Sequence, residues 1–501
     1  MDEAHRKKQA NIDLSTKKFS SDVLIRFITA ALLQVQSLIF LPIITKALGA
    51  ESYGIWSQII ITLNLLTPIL MLRLETACVR YLGSHNNKKI ISKTFFSMLA
   101  IIWFSIILLV LLIFLFPDKF SFIIFGEENL ILYSEFFGIM LFIRVTQSFI
   151  LNYYTTFNKF NILSFINIIQ SFSEIGLMML FVLYFDLGLK GAILSIIIIE
   201  AFGIIGVLAH IIRSIGFSFD STINVKLRPY LKYSIPLIPE GALFWVINLS
   251  DRYVIVHLLN LTQAGIYSAS YTMAGAITFF TVPIAYVLFP TISKLWENKD
   301  IIRTKKYIEE SIKYFLLLAI PSTMGVCYLG PYILKSLATS EFVTSRLLIT
   351  LIVLSYVFWG VYQLVYFIIY LKEKTYLVPI FFSIIAVLNL VLNFIWVPIY
   401  GIMGAALSTF IAFTILFIIV IFLSQRWLPI NMNYKSILKS IISSCIMLLP
   451  LIIFIPKNII EIIGIIFIGF IVYLGCMILF KGIGKTEWNL IKSTLVYMRD
   501  K

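Results

Sequence analysis

The chain carries the segment Gly-Leu-Lys-Gly-Ala-Ile-Leu-Ser at residues 188–195 and the related segment Gly-Ile-Met-Gly-Ala-Ala-Leu-Ser at residues 401–408, 213 positions later. A second related pair, Gly-Ile-Trp-Ser at 54–57 and Gly-Ile-Tyr-Ser at 265–268, is separated by 211 positions. Two independent matches at nearly the same offset indicate an internal duplication. The alternative is chance similarity, because glycine and serine are common wherever membrane helices pack closely.

The composition indicates whether the chain folds in water or in a membrane. Of 501 residues, 60% are hydrophobic and 13% are charged, and the mean hydropathy is +0.97. Soluble domains are about 45–50% apolar and about 25% charged, so this chain belongs in a membrane. At roughly 20 residues per span, its length allows about 12 to 15 spans. That leaves no room for a separate soluble catalytic domain and excludes most soluble enzyme folds.

Long apolar runs, separated by charged residues, Gly, Pro and Asn, predict fourteen membrane helices. Backbone groups inside lipid must be paired within the protein, so we expect an all-α bundle. The predicted helices lie at 23–45, 53–75, 94–116, 131–153, 161–184, 190–212, 230–250, 264–292, 314–334, 347–370, 375–398, 401–424, 440–456 and 459–480.

The duplication sets the predicted arrangement of these helices. Six helices separate the matching segments, and because six is even, both halves have the same orientation in the membrane. This predicts two six-helix lobes related by a pseudo-twofold axis along the membrane normal, followed by two further helices. The predicted divisions are a cytoplasmic arm (1–22), an N-lobe (23–213), a C-lobe with its cytoplasmic linker (214–425), and the last two helices with a cytoplasmic tail (426–501).

The charge distribution gives the orientation. The chain has 40 basic and 25 acidic residues, a formal charge of +15. With fourteen spans, 30 of the basic residues fall on the side that holds both termini and 7 on the opposite side. The positive-inside rule therefore places both termini in the cytoplasm. We interpret the excess charge as a topology signal, with a secondary attraction to anionic lipid, and expect no nucleic-acid partner.

The sequence shows no pattern typical of catalysis or metal binding. Its four cysteines and four histidines are scattered, so neither a disulfide framework nor a zinc site is expected. Nucleophile-elbow and Walker-type motifs are absent from the sequence. We expect a protein that is not an enzyme and has no cofactor.

Helix 7 contains an unusual Ser-Ile-Pro-Leu-Ile-Pro-Glu segment at residues 234–240. Pro236 and Pro239 remove backbone donors and are expected to bend or interrupt the helix. Glu240 lies beside them, on the element that we expect to move. The alternative is a static kink filled by neighbouring side chains.

Charged residues deep in the membrane are concentrated in helices 4 to 7: Arg144, Glu174, Glu200 and Glu240. A charge at the bilayer centre costs about 2.5–3.5 kcal/mol on insertion scales, so each needs a partner, water or a function. Helix 3 and helices 8 to 14 have no charge in their interiors. We therefore expect the early helices to line a polar cavity. The alternative is a purely structural Arg144–Glu174 ion pair.

Other charged residues lie nearer the helix ends and admit two interpretations. Arg26 can extend its side chain to the cytoplasmic surface. Glu75, with its basic neighbours, forms either an interfacial cluster or the mouth of a cavity. Asp251 and Arg252 form either an outer interfacial pair or part of the cavity.

Several segments together resemble a known family. They are Phe40–Gly54, Glu75–Tyr81, Asp251–Ile255 and Ala264–Ser268, and they are similar to segments of polysaccharide-biosynthesis flippases of the Wzx type. These flippases belong to the multidrug/oligosaccharidyl-lipid/polysaccharide (MOP) exporter superfamily. The resemblance extends over most of the chain, including the fourteen helices and the two lobes.

The resemblance implies a function. Such a protein moves a polyprenyl-(pyro)phosphate-linked oligosaccharide from the cytoplasmic to the outer leaflet of the cytoplasmic membrane, by alternating access and without ATP hydrolysis. Glycosyltransferases and a glycan polymerase of the same pathway are the implied partners.

The resemblance also suggests residue roles. Guanidinium groups suit the phosphates, and amide, carboxylate and aromatic groups suit the sugars. Glu240 or Glu174 would couple transport to a proton or a sodium ion. The predicted substrate-binding residues are Arg26, Arg144, Arg252, Glu174, Gln147, Asn152, Tyr153 and Tyr154, and the predicted coupling and gating residues are Glu240, Pro236, Pro239, Asp251 and Glu75.

Three other functions remain open from the sequence. A cation-coupled multidrug exporter of the same superfamily would suit an acidic cavity, although the Asp251–Arg252 region fits the flippase branch better. An integral-membrane glycan-modifying enzyme is disfavoured because no large external loop is predicted. A lipid scrambler without ion coupling is the third alternative.

Overall fold

The computed structural model describes residues 32, 36, 39–217 and 227–482. All regular secondary structure within these ranges is helical. The long helices, numbered in chain order, are α1 (Ile39–Leu70), α2 (Lys88–Leu115), α3 (Ile131–Thr156), α4 (Phe160–Met179), α5 (Gly188–Ile215), α6 (Ile238–Leu258), α7 (Leu261–Ala274), α8 (Thr278–Glu297), α9 (Ile301–Leu337), α10 (Arg346–Val365), α11 (Leu377–Tyr400), α12 (Ile402–Trp427), α13 (Tyr434–Ile453) and α14 (Ile459–Leu479).

Twelve helical runs among the described residues are long and apolar enough to cross a membrane, with α7 and α8 forming a single run. The predicted all-α, multi-pass membrane fold is therefore confirmed. Two of the fourteen predicted helices are outside this set. Most of the helix predicted at 23–45 lies outside the described residues, and the helix predicted at 230–250 is interrupted.

The interruption of predicted helix 7 occurs at its prolines, as expected. A short helix, Arg228–Ser234, is followed by a single 3₁₀ turn, Ile235–Leu237, that contains Pro236. Helix α6 then begins at Ile238, with Pro239 as its second residue. Proline is tolerated in the first turn of a helix because the N–H that it lacks has no intrahelical partner there. The break places Glu240 in the first turn of α6.

Helix α1 ends at Leu70, earlier than the boundary predicted at 75. Leu72 and Arg73 have φ values of 52° and 53°, in the left-handed region. The Arg73 N–H donates to the Pro68 carbonyl at 3.2 Å, and the Leu72 N–H donates to the Ile69 carbonyl at 2.9 Å. This pair of bonds is the usual C-terminal closure of a helix, in which the left-handed position normally holds glycine. With leucine there, the sequence carried no signal of the helix end.

The chain divides into two compact units, one that ends at Ser268 and one that begins at Ala269. In the first, α3 packs against α2 and α5, and α4 also packs against α5. In the second, α13 and α14 pack on α9 around a core that includes Leu329, Met447 and Tyr473. Every candidate site residue that the structure describes lies in the first unit. The lobe boundary at 213/214 rests on the sequence repeat and stays a prediction.

Candidate functional site

Three charged residues form a polar centre in the first unit: Arg144 on α3, Glu174 on α4 and Glu200 on α5. Arg144 Nη1 lies 2.8 Å from Glu200 Oε1. Glu200 is 1% exposed, whereas the Arg144 side chain is 38% exposed. A guanidinium has five N–H donors, so Glu200 can hold Arg144 in place while the exposed part of the guanidinium remains accessible to an anion.

Glu174 is the second carboxylate of the polar centre. It is buried and accepts a hydrogen bond from Gln36 Nε2 at 2.8 Å. The ion pair of Arg144 is thus made with Glu200, while Glu174 has an amide partner. Two ionised carboxylates and one guanidinium would leave a net negative charge.

Two of the predicted sugar-binding residues continue from Arg144 along α3. Gln147 Nε2 donates to Gln170 Oε1 at 2.7 Å. The Tyr154 hydroxyl lies 2.7 Å from His210 Nδ1, and the two rings are stacked. Gln170 and His210 were not among the predicted site residues. In sequence, Gln170 is marked by its place between Asn167 and Glu174 on one face of α4, and His210 by its place one turn before Arg213 on α5.

The other two predicted sugar-binding residues have different surroundings. Asn152 Nδ2 donates to the Glu75 carbonyl at 2.9 Å. Tyr153 is 3% exposed, packs edge-on against Phe95, and has Lys159 Nζ 5.5 Å from its ring centroid. Asn152 therefore connects α3 to the segment that follows α1, and Tyr153 belongs to an aromatic core.

Glu75 follows the C-terminal end of α1, where the chain lies next to the start of α6. Its carboxylate is 3.5 Å from Arg73 Nη1, and Arg73 Nη2 is 3.1 Å from the position that a side chain on Gly241 would occupy. Glu240, half-buried, immediately precedes Gly241. Burial raises the pKa of Glu75, and the Arg73 charge partly opposes this effect. Glu75 and Glu240, two of the three predicted acidic gating residues, thus lie on segments that meet at Arg73.

Asp251 and Arg252 form a separate buried network. Their side chains are 2.7 Å apart, and the residues are 1% and 4% exposed. The Tyr267 hydroxyl donates to Asp251 Oδ2 at 2.5 Å, and Gln58 Nε2 donates to the Arg252 carbonyl at 3.0 Å. The network ties α6 to α7 and α1. Arg26, the remaining predicted phosphate-binding residue, lies outside the described residues.

The matching segments at 54–57 and 265–268 contact each other. A side chain on Gly54 would overlap the Leu261 carbonyl, and one on Gly265 would overlap the Ala50 carbonyl. Between them, the Ser57 and Ser268 hydroxyls are 2.7 Å apart. Ala50 and Leu261 are themselves 211 positions apart. Each glycine therefore contacts the position that is equivalent, in the repeat, to the position contacted by the other glycine. We call this contact the Gly–Ser crossing.

Comparison with known proteins identifies the family. The model of the family described as polysaccharide biosynthesis protein matches residues 18–296, more than half of the chain. The chain belongs to this family. The resemblance noted in the sequence is therefore confirmed.

Two proteins of similar sequence are named as flippases. The "probable low-salt glycan biosynthesis flippase Agl15" of Haloferax volcanii is 24% identical over 273 residues, which are 53% of this chain and 57% of Agl15. The "probable lipid II flippase MurJ" of Borreliella burgdorferi is 25% identical over 371 residues, 70% of this chain and 71% of that protein. The chain spans less than two thirds of the length of Agl15 and of the uncharacterized membrane protein MJ1375 of Methanocaldococcus jannaschii, for which the figure is 65%.

Solved structures show the same fold. A structure titled "Lipid II flippase MurJ, inward closed conformation" superposes with a TM-score of 0.76 at 19% identity, covering 92% of this chain and 99% of that one. An inward-facing multidrug resistance MATE family transporter of the MOP superfamily gives 0.65 at 14% identity, covering 78% and 94%. At these identities the likeness establishes the fold.

Proposed function

We propose that this protein is a flippase that transfers a polyprenyl-(pyro)phosphate-linked oligosaccharide from the cytoplasmic to the outer leaflet of the cytoplasmic membrane. The family and the relatives named as flippases support a transporter rather than an enzyme. The observation that carries the proposal is Arg144, a partly exposed guanidinium held in a membrane-spanning helix by the buried Glu200. A planar guanidinium is well suited to a phosphate because it can donate two parallel hydrogen bonds.

Substrate binding begins at Arg144. The phosphate and Glu200 both accept hydrogen bonds from the guanidinium, so a bound phosphate weakens the Arg144–Glu200 pair. Gln147 and Tyr154, on the same helix, provide an amide and a phenol for sugar hydroxyls.

Ion coupling follows from the same competition. When a phosphate shares Arg144, one guanidinium faces two anions, so Glu200 is only partly neutralised and a proton or a sodium ion restores neutrality. Glu174 is the second acceptor for that ion in the polar centre. Glu240, in the first turn of α6 just after the turn that contains Pro236, is a further coupling residue. Substrate binding and cation binding therefore favour each other in this state of the protein.

Alternating access needs a contact that opens and a segment that bends. The Gly–Ser crossing is our proposed gate, and the turn that contains Pro236 is the proposed hinge. On the topology derived from charge, both termini are cytoplasmic. The substrate is then received from glycosyltransferases on the inner face and passed to a glycan polymerase on the outer face.

The test is a reconstituted assay in which a labelled polyprenyl-pyrophosphate oligosaccharide crosses to the far leaflet of a proteoliposome. Hydrogen bonds to charged groups contribute about 1.5–3 kcal/mol, so Arg144→Ala should slow crossing at least about tenfold. Arg303→Ala is the matched control, because the Arg303 side chain is 73% exposed and lies beyond the polar centre. Crossing at the normal rate in the Arg144 variant, at equal protein levels, would refute the assignment.

A cation-coupled multidrug exporter is the second candidate. Two carboxylates with one guanidinium in the polar centre would also suit an organic cation, and the fold is shared with a MATE transporter. The same proteoliposomes separate the two functions. Uptake of a cationic dye, with no crossing of the glycolipid, would favour the exporter.

A further inference from the structure

An open groove runs between α4 and α5 in the first unit, with a volume of about 460 Å³. Its rim is apolar and faces outward: Phe165 is 65% exposed and Phe202 is 69% exposed. Its floor carries polar groups from Gln170, Tyr154 and His210. The volume lies within the roughly 300–1,000 Å³ of typical ligand pockets.

The length of the groove along α4 and α5 is about the thickness of one leaflet. It extends from Ile162 to Ser173 on α4 and from Ile199 to His210 on α5. At 1.5 Å per residue, each stretch is about 16 Å long. The hydrocarbon core of a bilayer is about 30 Å thick, so the groove matches the length of half a membrane.

A groove with this lining will hold hydrocarbon. An empty apolar groove would lose dispersion contacts, and water would find few hydrogen-bonding partners along the rim. The space is clearest at Gly206, where a side chain would meet no other atom within 4 Å.

Basic residues mark one end of the groove. The Lys159 N–H donates to the Tyr154 carbonyl at 2.7 Å, and Arg213 lies three residues beyond His210 on α5. Within the described ranges, neither basic side chain forms an ion pair. A phosphate at this end complements both charges, with the chain attached to it extending along the groove.

The lining alone does not distinguish an unsaturated chain from a saturated one. Gln170 lines the groove, but its unpartnered Nε2 is buried beneath the lining and does not reach the chain. The choice of a polyprenyl chain follows from the proposed substrate.

We propose that this groove holds the polyprenyl chain of a lipid phosphate, with the phosphate between Lys159 and Arg213. This inference rests on the proposed function, since the polyprenyl carrier belongs to the substrate proposed above. On the topology derived from charge, the groove opens to the cytoplasmic leaflet. The substrate lipid would then lie beside α4 and α5, where the groove residue Tyr154 is about three turns of α3 away from Arg144.

The test uses a polyprenyl phosphate with a photoactivatable diazirine in its chain, added to the protein in nanodiscs. Crosslinked peptides are expected from α4 and α5. Gly206→Leu should reduce the crosslinked yield at least fivefold, because a leucine there occupies part of the groove from a position where the Cβ atom itself meets no neighbour. Gly464→Leu, at an exposed position of α14 that is equally open, is the matched control. Lys159→Gln and Arg213→Gln should each reduce the yield about fivefold, the effect of one basic residue on an anionic lipid.

Two outcomes would overturn the inference. One is crosslinking elsewhere with none in α4 or α5. The other is equal competition by a phosphatidylglycerol with saturated chains, which would make the groove a general lipid site. Transport by the unmodified protein is measured in parallel. Normal glycolipid crossing without groove labelling refutes the groove and leaves the proposed function intact. Groove labelling without any crossing refutes the function and leaves polyprenyl phosphate binding established.

Discussion

A disulfide across the Gly–Ser crossing should stop transport reversibly. The Ser57 and Ser268 hydroxyls are 2.7 Å apart, and an S–S bond is about 2.05 Å long. The double variant Ser57→Cys, Ser268→Cys therefore needs a shift of less than about 1 Å to form the bond. The bond closes a loop of roughly 210 residues, which in the chain-entropy model constrains the unfolded chain by about 5 kcal/mol. A contact that must open in each cycle is then covalently closed.

The assay is glycolipid crossing in proteoliposomes, with an oxidant and then with a reductant. Crossing should fall to background on oxidation and return on reduction. A second pair, Asn389→Cys and Thr409→Cys, provides the matched control, because these side chains are 3.4 Å apart on the consecutive helices α11 and α12. Normal crossing by fully oxidised Ser57/Ser268 protein would show that the crossing is static and that our gate is wrong. The native cysteines are first replaced by alanine: Cys78, Cys327, Cys445 and Cys476.

Three further predictions concern stability. Gly203→Ala places a methyl group where Gln170 Nε2 now lies, so we expect a loss of about 1–3 kcal/mol, measured by thermal unfolding in detergent; an unchanged Tm would mean that Gln170 moves freely. Asp251→Ala leaves the buried Arg252 without its carboxylate and should cost about 3–5 kcal/mol, visible as a lower Tm and yield. The raised pKa of Glu75 means that its stabilising contribution is complete below its ordinary value of 4.5 and is lost as the pH rises through the raised value. Glu75→Gln should remove that loss, giving a smaller drop in Tm between pH 4.5 and neutral pH than in the unmodified protein; equal drops would contradict it.

The membrane fold was accessible from the sequence because it depends on a one-dimensional pattern. Apolar runs long enough to cross a bilayer are legible from hydropathy alone. The break at Pro236 was also predictable, since proline cannot supply the backbone N–H that an uninterrupted helix needs.

The partner of Arg144 was not predictable. Glu174 lies on a polar face of α4, with Asn167 and Ser171 at helical spacing, whereas Glu200 lies in a run of apolar residues in α5. Neither pattern states which of the two carboxylates reaches Arg144. Successive residues on a helix differ in direction by about 100°, and a small rotation exchanges one carboxylate for the other. In the structure, Arg144 forms its ion pair with Glu200, and Glu174 accepts a hydrogen bond from Gln36.

The burial of Asp251 and Arg252 was not predictable from the sequence either. Near a helix end, a charged pair looks the same in sequence whether it meets water or a neighbouring helix. Its surroundings depend on Tyr267, sixteen residues along the chain, and on Gln58, far from it in sequence.

The Gly–Ser crossing carries a record of how the protein arose. Each half contributes a glycine and a serine at matching positions, so the contact has the self-complementary form of a symmetric dimer interface. Two separate copies of an ancestral half-length chain could have paired through this same surface. Fusion of the two genes would then have preserved an interface that already worked, and freed each copy to diverge. The polar centre of Arg144, Glu174 and Glu200, which lies in the first half alone, is the kind of difference that such divergence leaves behind.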